Sequence, residues 1–199
     1  CGQLLNMLEQ RRLTENTLIL YLCDNGWIQK SDQGGFADKS KRTPYEGGIR
    51  TPLMVSWPAR IKPMFDEKTV VSSIDLAPTI LKACGLEIPG EMQGMYLLDR
   101  RALKRRSAVF GAAYTHDAVD INDPSSSLKY LYVIEGEWKL IMPSGRNGTG
   151  NDCELYNVLD DPEEKNNLAS AEQGMVKKLK KSLEEWWPFN PSADADGNG

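Results

Sequence analysis

The stretch that decides the fold reads Thr17-Leu-Ile-Leu-Tyr-Leu-Cys-Asp24-Asn25-Gly26. Its uninterrupted apolar run predicts a β-strand covered on both faces. Open α/β sheets bind their ligands at the carboxyl ends of the strands, and this end carries Asp24 and Asn25. The stretch therefore predicts an α/β domain with oxygen-bearing side chains at one edge of its sheet.

Asp24 and Asn25 offer hard oxygen donors, which suit Ca²⁺ or Mg²⁺ better than zinc or copper. Calcium takes about 6 to 8 oxygen ligands, so other residues, water or a substrate would have to complete such a site. Asp-Asn-Gly is also a common turn sequence, in which the Asp and Asn side chains bond to nearby backbone. From the tripeptide alone the turn is the favoured interpretation, and the metal site remains an alternative.

A second segment reads Lys41-Arg-Thr-Pro-Tyr45-Glu-Gly-Gly-Ile-Arg50-Thr-Pro52. Its glycine pair, Gly47 and Gly48, predicts a close approach of backbone just before another apolar strand at 53–57. The ammonium of Lys41 is a compact charge that can hold a tetrahedral oxyanion. A lysine in a charged loop is more often simply solvated, and Lys41 by itself fits that role better.

Together the two segments resemble the type I sulfatases, sulfate-ester hydrolases of the alkaline-phosphatase-like superfamily. In that family an apolar strand ends in Asp-Asn-Gly, and a lysine stands four residues before an aromatic-Glu-Gly-Gly-x-Arg element. The resemblance covers nearly the whole chain, through Trp57-Pro58, Ser73–Leu81, Trp138–Ile141, Glu154–Tyr156, Asp161-Pro162 and Asn167-Leu168. It implies the C-terminal portion of a sulfatase α/β sheet domain, followed by a small antiparallel β-sheet subdomain that a C-terminal helix packs against.

The resemblance also implies the roles of individual residues. Asp24 and Asn25 would bind one active-site Ca²⁺, completed by residues upstream of this chain, and Lys41 would act in catalysis by contacting the sulfate. In sulfatases the nucleophile is a formylglycine, made from the Cys or Ser of a C/S-x-P-S/A-R motif. None of the four cysteines stands in that motif. We therefore expect the formylglycine in a missing N-terminal part of the same enzyme, and we expect this segment alone to be inactive.

Four regions are predicted along the chain: 1–100 as the C-terminal segment of the catalytic α/β domain, 101–107 as a basic linker, 108–190 as the small C-terminal α+β subdomain, and 191–199 as a disordered acidic tail. The cations between Arg100 and Arg106 could hold an anionic polymer, but a solvated linker is the favoured interpretation. Residues 194–199 match the first half of an EF-hand loop and lack its bidentate Glu, which favours the disordered tail.

Three patterns predict the secondary structure of these regions. Asp75 is expected to cap a helix that places Leu76, Ile80 and Leu81 on a core and ends at Gly85. Short strands are predicted at 108–114, 130–134 and 137–141, the last two joined by a tight hairpin at Glu135-Gly136. An amphipathic helix at 171–187 would cover one face of this sheet with Met175, Leu179, Leu183 and Trp186.

The only histidine, His116, stands at the end of the predicted strand 108–114, ahead of a polar loop. Loops at strand ends often carry recognition residues, and in sulfatases this subdomain helps to select the group that bears the sulfate. His116 is therefore a candidate substrate contact. An exposed loop histidine without a role is the simpler interpretation.

Composition excludes several classes of protein. The net charge is −4 with dispersed Lys and Arg, which is unlike the basic stripe of nucleic-acid-binding proteins. No stretch predicts a signal peptide or a membrane span. The four cysteines match no zinc or thioredoxin spacing and are predicted to be free, buried thiols. The compartment is unknown, and family habit favours the periplasm or secretion.

The function expected from these observations is hydrolysis of a sulfate ester carried by a small molecule or a carbohydrate. Two alternatives stay open. A phosphoesterase of the same superfamily would make similar use of a metal and a lysine, but such enzymes usually have His and Asp ligands for two metals. A non-catalytic binding or accessory module would have no need of a nucleophile.

Overall fold

A computed structural model describes residues 1–31, 34–145, 147–148 and 152–187. The described chain forms two compact units. The first unit contains Cys1–Asp24 and Thr51–Arg106, and the second contains Asn25–Arg50 and the described residues from Ser107 onward. The predicted acidic tail, 191–199, with its EF-hand-like sequence, lies outside the described residues. The predicted division into domains stays a prediction.

The regular elements follow one another in the order α1 Gly2–Gln10, β1 Ile19–Leu22, α2 Glu46–Ile49, β2 Leu53–Ser56, α3 Leu76–Ala83, α4 Arg100–Lys104, β3 Val109–Tyr114, β4 Leu128–Glu135, β5 Trp138–Pro143, β6 Glu154–Asn157 and α5 Gln173–Trp186. Short 3₁₀ turns lie at Thr14–Asn16, Ser73–Asp75 and Pro124–Ser127. No helix in the described ranges has the length and apolar character needed to cross a membrane.

In the first unit, β1 pairs with β2 in a two-stranded antiparallel sheet, with Ile19 opposite Ser56 and Leu22 opposite Leu53. The predicted strand is confirmed, but the predicted cover on both faces is wrong for this chain. Tyr21 and Leu22 remain 43% and 37% exposed. The physical reason is that, within the described structure, β1 has a single neighbouring strand, so one edge and part of one face stay open.

Helix α3 begins and ends as predicted, and two of its three predicted core residues, Leu76 and Leu81, are half-buried. Gly85, just beyond its end, has a φ of +76°, the left-handed conformation that terminates helices. Thr79 is completely buried, whereas the predicted core residue Ile80 is 48% exposed. Thr79 Oγ1 accepts a hydrogen bond from Leu97 N (2.9 Å). The chain around Leu97 therefore covers the Thr79 side of the helix and leaves Ile80 outside.

Asp75 caps the 3₁₀ turn before α3 rather than α3 itself. Its carboxylate accepts a hydrogen bond from Ser72 N (2.8 Å) in a capping box. The same carboxylate is bound at both oxygens by Arg106, with Nη1 to Oδ2 at 2.7 Å and Nη2 to Oδ1 at 2.5 Å. The Arg106 side chain is only 9% exposed, so the predicted solvated state of the basic segment is wrong for this residue.

The second unit contains a four-stranded antiparallel sheet in the order β3-β4-β5-β6. The predicted hairpin is confirmed with its loop one residue later, at Gly136-Glu137, because Glu135 pairs with Trp138. Gly136 takes a φ of +61° at the first loop position, where type II′ hairpin turns favour glycine. Strand β6 was not among the predicted strands.

Helix α5 covers one face of this sheet, as predicted. Leu179 and Leu183 are completely buried in a core with Leu131, Val133, Leu140 and Leu155. Met175 and Trp186 pack at its margin, where the Trp186 ring stacks on Phe110 with centroids 5.2 Å apart. The amphipathic pattern therefore identified the inward face of this helix correctly.

The four cysteines are free thiols, as predicted, but their predicted burial is wrong. Cys1 and Cys84 are exposed, and Cys23 and Cys153 are half-buried. Cys84 is the C-cap of α3, where the chain turns away from the helix.

Candidate functional site

The turn after β1 is fastened to the glycine pair of the second segment. Gly26 N donates a hydrogen bond to Gly48 O (2.8 Å). A Cβ on Gly26 would lie only 2.2 Å from Gly47 O, so a larger residue would push the two segments apart. Asn25 Nδ2 donates to Gly26 O (2.9 Å), a local backbone contact that is typical of turns. The side-chain amide oxygen of Asn25 therefore points away from that carbonyl.

The loop that carries Lys41 also packs closely against this glycine pair. A Cβ on Gly47 would lie 2.3 Å from Lys39 O, and a Cβ on Gly48 would lie 2.3 Å from Ser40 O. Ser40 is completely buried, and its Oγ accepts a hydrogen bond from Ile28 N (2.6 Å). The predicted close approach of backbone is therefore confirmed. The turn at Gly26 and the segment Lys39-Ser40 both contact the glycine pair Gly47-Gly48.

This packing determines where the predicted site residues lie. Asn25 and Lys41 belong to the same compact unit and are connected through Gly26, Gly47 and Gly48. Asp24 immediately precedes Asn25 and is the last residue of its segment in the first unit. Lys41 is half-buried, with Nζ 5.6 Å from the centroid of the Trp27 ring. His116 lies exposed in the loop after β3, and its contact with substrate stays a prediction.

The predicted calcium ligands Asp24 and Asn25 carry donor atoms of the right kind, and their binding of calcium stays a prediction. Among the described residues, no three His, Cys, Asp or Glu side chains cluster closely enough to hold a metal ion. The carboxylate and the amide oxygen are two hard donors on consecutive residues, which is the donor chemistry that Ca²⁺ prefers. The remaining ligands of a calcium ion would have to come from elsewhere.

The second unit also contains a buried ion cluster, which sequence reasoning missed. The side chain of Lys139 is completely buried, and its Nζ lies 3.0 Å from Glu46 Oε1 and 2.9 Å from Glu164 Oε1. The contact with Glu164 Oε1 is an ion pair without good hydrogen-bond alignment. Glu164 Oε2 accepts from Glu46 N (2.6 Å). Burial raises the pKa of Glu164, and the charge of Lys139 opposes that rise.

A second, half-buried lysine, Lys39, lies beside this cluster. Lys39 Nζ is 4.5 Å from the centroid of the Tyr45 ring and 4.9 Å from that of Tyr156, and it donates to the backbone carbonyl of Glu164. Both phenols donate to the carboxylate of Glu154, Tyr45 at 2.8 and 2.9 Å. Burial, followed by these bonds to Glu154, raises the pKa of Tyr45 and of Tyr156. Both phenols are therefore neutral hydrogen-bond donors at physiological pH.

These contacts attach the motif residues Tyr45 and Glu46 to the sheet of the second unit. Lys139 lies on β5 directly opposite Tyr156 on β6, so one pair of neighbouring strands supplies both anchors. One sequence signal pointed to this arrangement. Lys139 interrupts the apolar strand Trp138-Lys-Leu-Ile141, and a buried lysine requires a carboxylate partner.

Comparison with known proteins gives a consistent result. Residues 34–187 match the family described as N-sulphoglucosamine sulphohydrolase, C-terminal. An N-acetylgalactosamine-6-O-sulfatase of Bacteroides thetaiotaomicron is 27% identical over 92% of this chain and 39% of its own length. An N-acetylglucosamine-6-O-sulfatase of the same bacterium is 31% identical over 92% of this chain and 32% of its own length.

One solved structure, of a protein in complex with its substrate D-glucosamine-2-N,6-O-disulfate, is 29% identical and superposes with a TM-score of 0.69. It covers 98% of this chain, which spans 38% of that protein. The structural neighbours are sulfatases of the alkaline-phosphatase-like fold, so the fold class predicted from the sequence is confirmed. The chain spans about a third to two fifths of the length of these three proteins.

Proposed function

Because this chain belongs to the family of N-sulphoglucosamine sulphohydrolase C-terminal domains, a sulfatase family, we propose that it supplies calcium ligands and a sulfate-binding lysine to a sulfate-ester hydrolase. The observation that carries this proposal is the glycine-mediated packing of the Asn25-Gly26 turn and the Lys41 loop on the pair Gly47-Gly48. Two segments that are distant in sequence thereby present an oxygen ligand and an ammonium from one packed region.

Lys41 is the lysine of this region that we assign to the sulfate. Lys39 is committed to the two tyrosine rings and to the Glu164 carbonyl, and Lys139 is committed to two carboxylates. The ammonium of Lys41 lies near the face of the Trp27 ring. A contact with an aromatic ring does not neutralise the positive charge of the ammonium. In the reaction it would hold a sulfate oxygen and stabilise the negative charge on the group being transferred.

The carboxylate of Asp24 and the amide oxygen of Asn25 would hold the calcium ion. When bound, a divalent cation draws negative charge from the sulfate oxygens and orients the ester. The substrate class that we propose is a sulfated carbohydrate, because two sulfatases similar to this chain are named for sulfated amino sugars.

The test is the substitution Lys41→Ala in the longest gene product that contains this chain. We expect kcat/KM for a sulfate ester to fall about 10²- to 10³-fold, as when one preorganised oxyanion donor is removed. Lys30→Ala is the matched control, because Lys30 is a partly exposed lysine of the same unit that pairs with Asp38 at 3.6 Å. Unchanged turnover of Lys41→Ala would refute the role of Lys41, and faster hydrolysis of phosphate than of sulfate esters would favour the phosphoesterase.

A further inference from the structure

A tryptophan stands exposed directly after the Asp24-Asn25-Gly26 turn. Trp27 leaves 51% of its surface in solvent, although tryptophan is usually among the more buried residues. Its indole N–H donates to Gln29 Oε1 (3.1 Å), and its ring meets Phe36 edge to face, with centroids 5.4 Å apart and an interplanar angle of 65°. The ring is therefore held in one orientation while much of it remains open.

The backbone that carries this ring is anchored to the candidate site. Ile28 N donates to Ser40 Oγ, and Ile28 O accepts from Ala37 N (2.8 Å), so the residue after Trp27 is bonded to the segment 37–40. Gln29 and Phe36 form a β-bridge next to these bonds. Since Ser40 also contacts the glycine pair, the position of the Trp27 ring is fixed relative to the loop that carries Lys41.

Two cations border the aromatic pair. Lys41 Nζ lies 5.6 Å from the centroid of the Trp27 ring, and the Arg42 guanidinium lies 5.9 Å from that of Phe36. The site thus combines an apolar, electron-rich ring surface with positive charge within a few ångströms. A sulfated sugar has the complementary chemistry, because its ring presents an apolar face of C–H groups and its ester presents an anion.

We propose that Trp27 is the surface on which the sugar ring stacks when its sulfate group is held by Lys41, which deepens the function proposed above and rests on it. The ring of Trp27 supplies binding to the carbohydrate, and Lys41 supplies binding to the sulfate. The two contributions are separable, because the stacking contact does not touch the reacting sulfur. Loss of the ring therefore weakens substrate binding more than it slows the chemical step.

The experiment compares Trp27→Ala and Trp27→Phe in the longest gene product, with 6-O-sulfated N-acetylglucosamine as substrate and inorganic sulfate as inhibitor. For Trp27→Ala we expect KM to rise about tenfold or more while kcat changes less than about threefold, as for loss of an aromatic binding contact. The inhibition constant of inorganic sulfate should not change. Trp27→Phe should restore most of the affinity, because it retains an aromatic face.

Phe65→Ala is the control, because Phe65 is an aromatic residue of the first unit with 87% of its surface exposed. The KM of the Phe65→Ala variant should equal that of the unchanged protein. The inference is overturned if Trp27→Ala leaves KM unchanged, or if it weakens sugar and inorganic sulfate equally, as a structural role would. If the unchanged protein hydrolyses no sulfate ester, the proposed function fails. Calorimetry then compares the binding of the same sulfated sugar to the unchanged protein and to Trp27→Ala. Weaker binding by Trp27→Ala supports the stacking surface, whereas equal or absent binding overturns it.

Discussion

At the scale of single residues, Lys139 and Lys41 differ in what their ammonium groups contact. Lys139 lies between two carboxylates in the interior, whereas Lys41 lies against the face of Trp27. A buried charge must be paired, because transfer out of water costs far more than any single contact returns. Lys139 is therefore structural, whereas the contact of Lys41 with a sulfate stays a prediction.

We predict that Lys139→Met will be strongly destabilising. It leaves Glu46 and Glu164 close together in the interior without a counter-charge, and breaking such a buried pair costs about 3–5 kcal/mol of unfolding free energy. Urea denaturation measures this loss. Lys181→Met is the control, because the side chain of Lys181 is 77% exposed and its pair with Glu185 is at the surface.

Removal of the two acidic partners tests the physical cause. In the triple variant Lys139→Met, Glu46→Gln, Glu164→Gln, much of the lost stability should return, since no uncompensated charge remains. A single Lys139→Met variant as stable as Lys181→Met would contradict the assignment of this cluster as an obligatory ion pair.

At the scale of elements, short pieces of backbone are placed by what packs against them. Helix α2 has a single turn and cannot be stable alone, because helix formation needs a longer run to offset nucleation. It is held by Glu46, which contacts Lys139, and by Gly48, whose missing side chain admits Ser40 O. Helix α5, by contrast, is long and amphipathic and buries two leucines against the sheet.

For α5 we predict that Leu183→Ala will lower the free energy of unfolding by about 2–5 kcal/mol, because it leaves a cavity between the helix and the sheet. Leu183 is completely buried. Leu159→Ala offers a matched control, since Leu159 is 67% exposed and should change stability by less than about 0.5 kcal/mol. Equal denaturation midpoints for the two variants would show that α5 does not contribute to the core.

At the scale of the whole molecule, stability should fall steeply in alkali. The pKa values of Tyr45 and Tyr156 are raised above the value near 10 that both have when unfolded. Below that pH both states keep the phenol protons, and above it the unfolded state loses them first. Unfolding then becomes more favourable as pH rises, and the stabilising contribution disappears from about pH 10 upward.

The variant Tyr45→Phe, Tyr156→Phe tests this pH dependence. It should be less stable than the unchanged protein at neutral pH, because the Glu154 carboxylate loses two donors, and its stability should decline less steeply above about pH 10. The measurement is the free energy of unfolding between neutral pH and alkali for both proteins. Parallel curves would mean that other groups cause the alkaline loss.

The sequence by itself determined the features that depend on local pattern: the apolar strand before Asp24, the close approach at Gly47-Gly48, the hairpin at Gly136 and the inward face of α5. These follow from periodicity and from the steric freedom of glycine, which neighbours in the sequence reveal. The family resemblance added the fold class, which the comparisons confirm, and the roles of Asp24, Asn25, Lys41 and His116, which remain predictions.

Only the tertiary structure decided which charges are buried and which side of a helix is covered. Lys139, Glu46 and Glu164 are far apart in sequence, as are Asp75 and Arg106, so no local pattern pairs them. Thr79 rather than Ile80 faces inward because a distant segment at Leu97 covers it. Burial depends on the sum of long-range contacts, and for that reason the exposed ring of Trp27 and its distance from Lys41 became visible only in the folded chain.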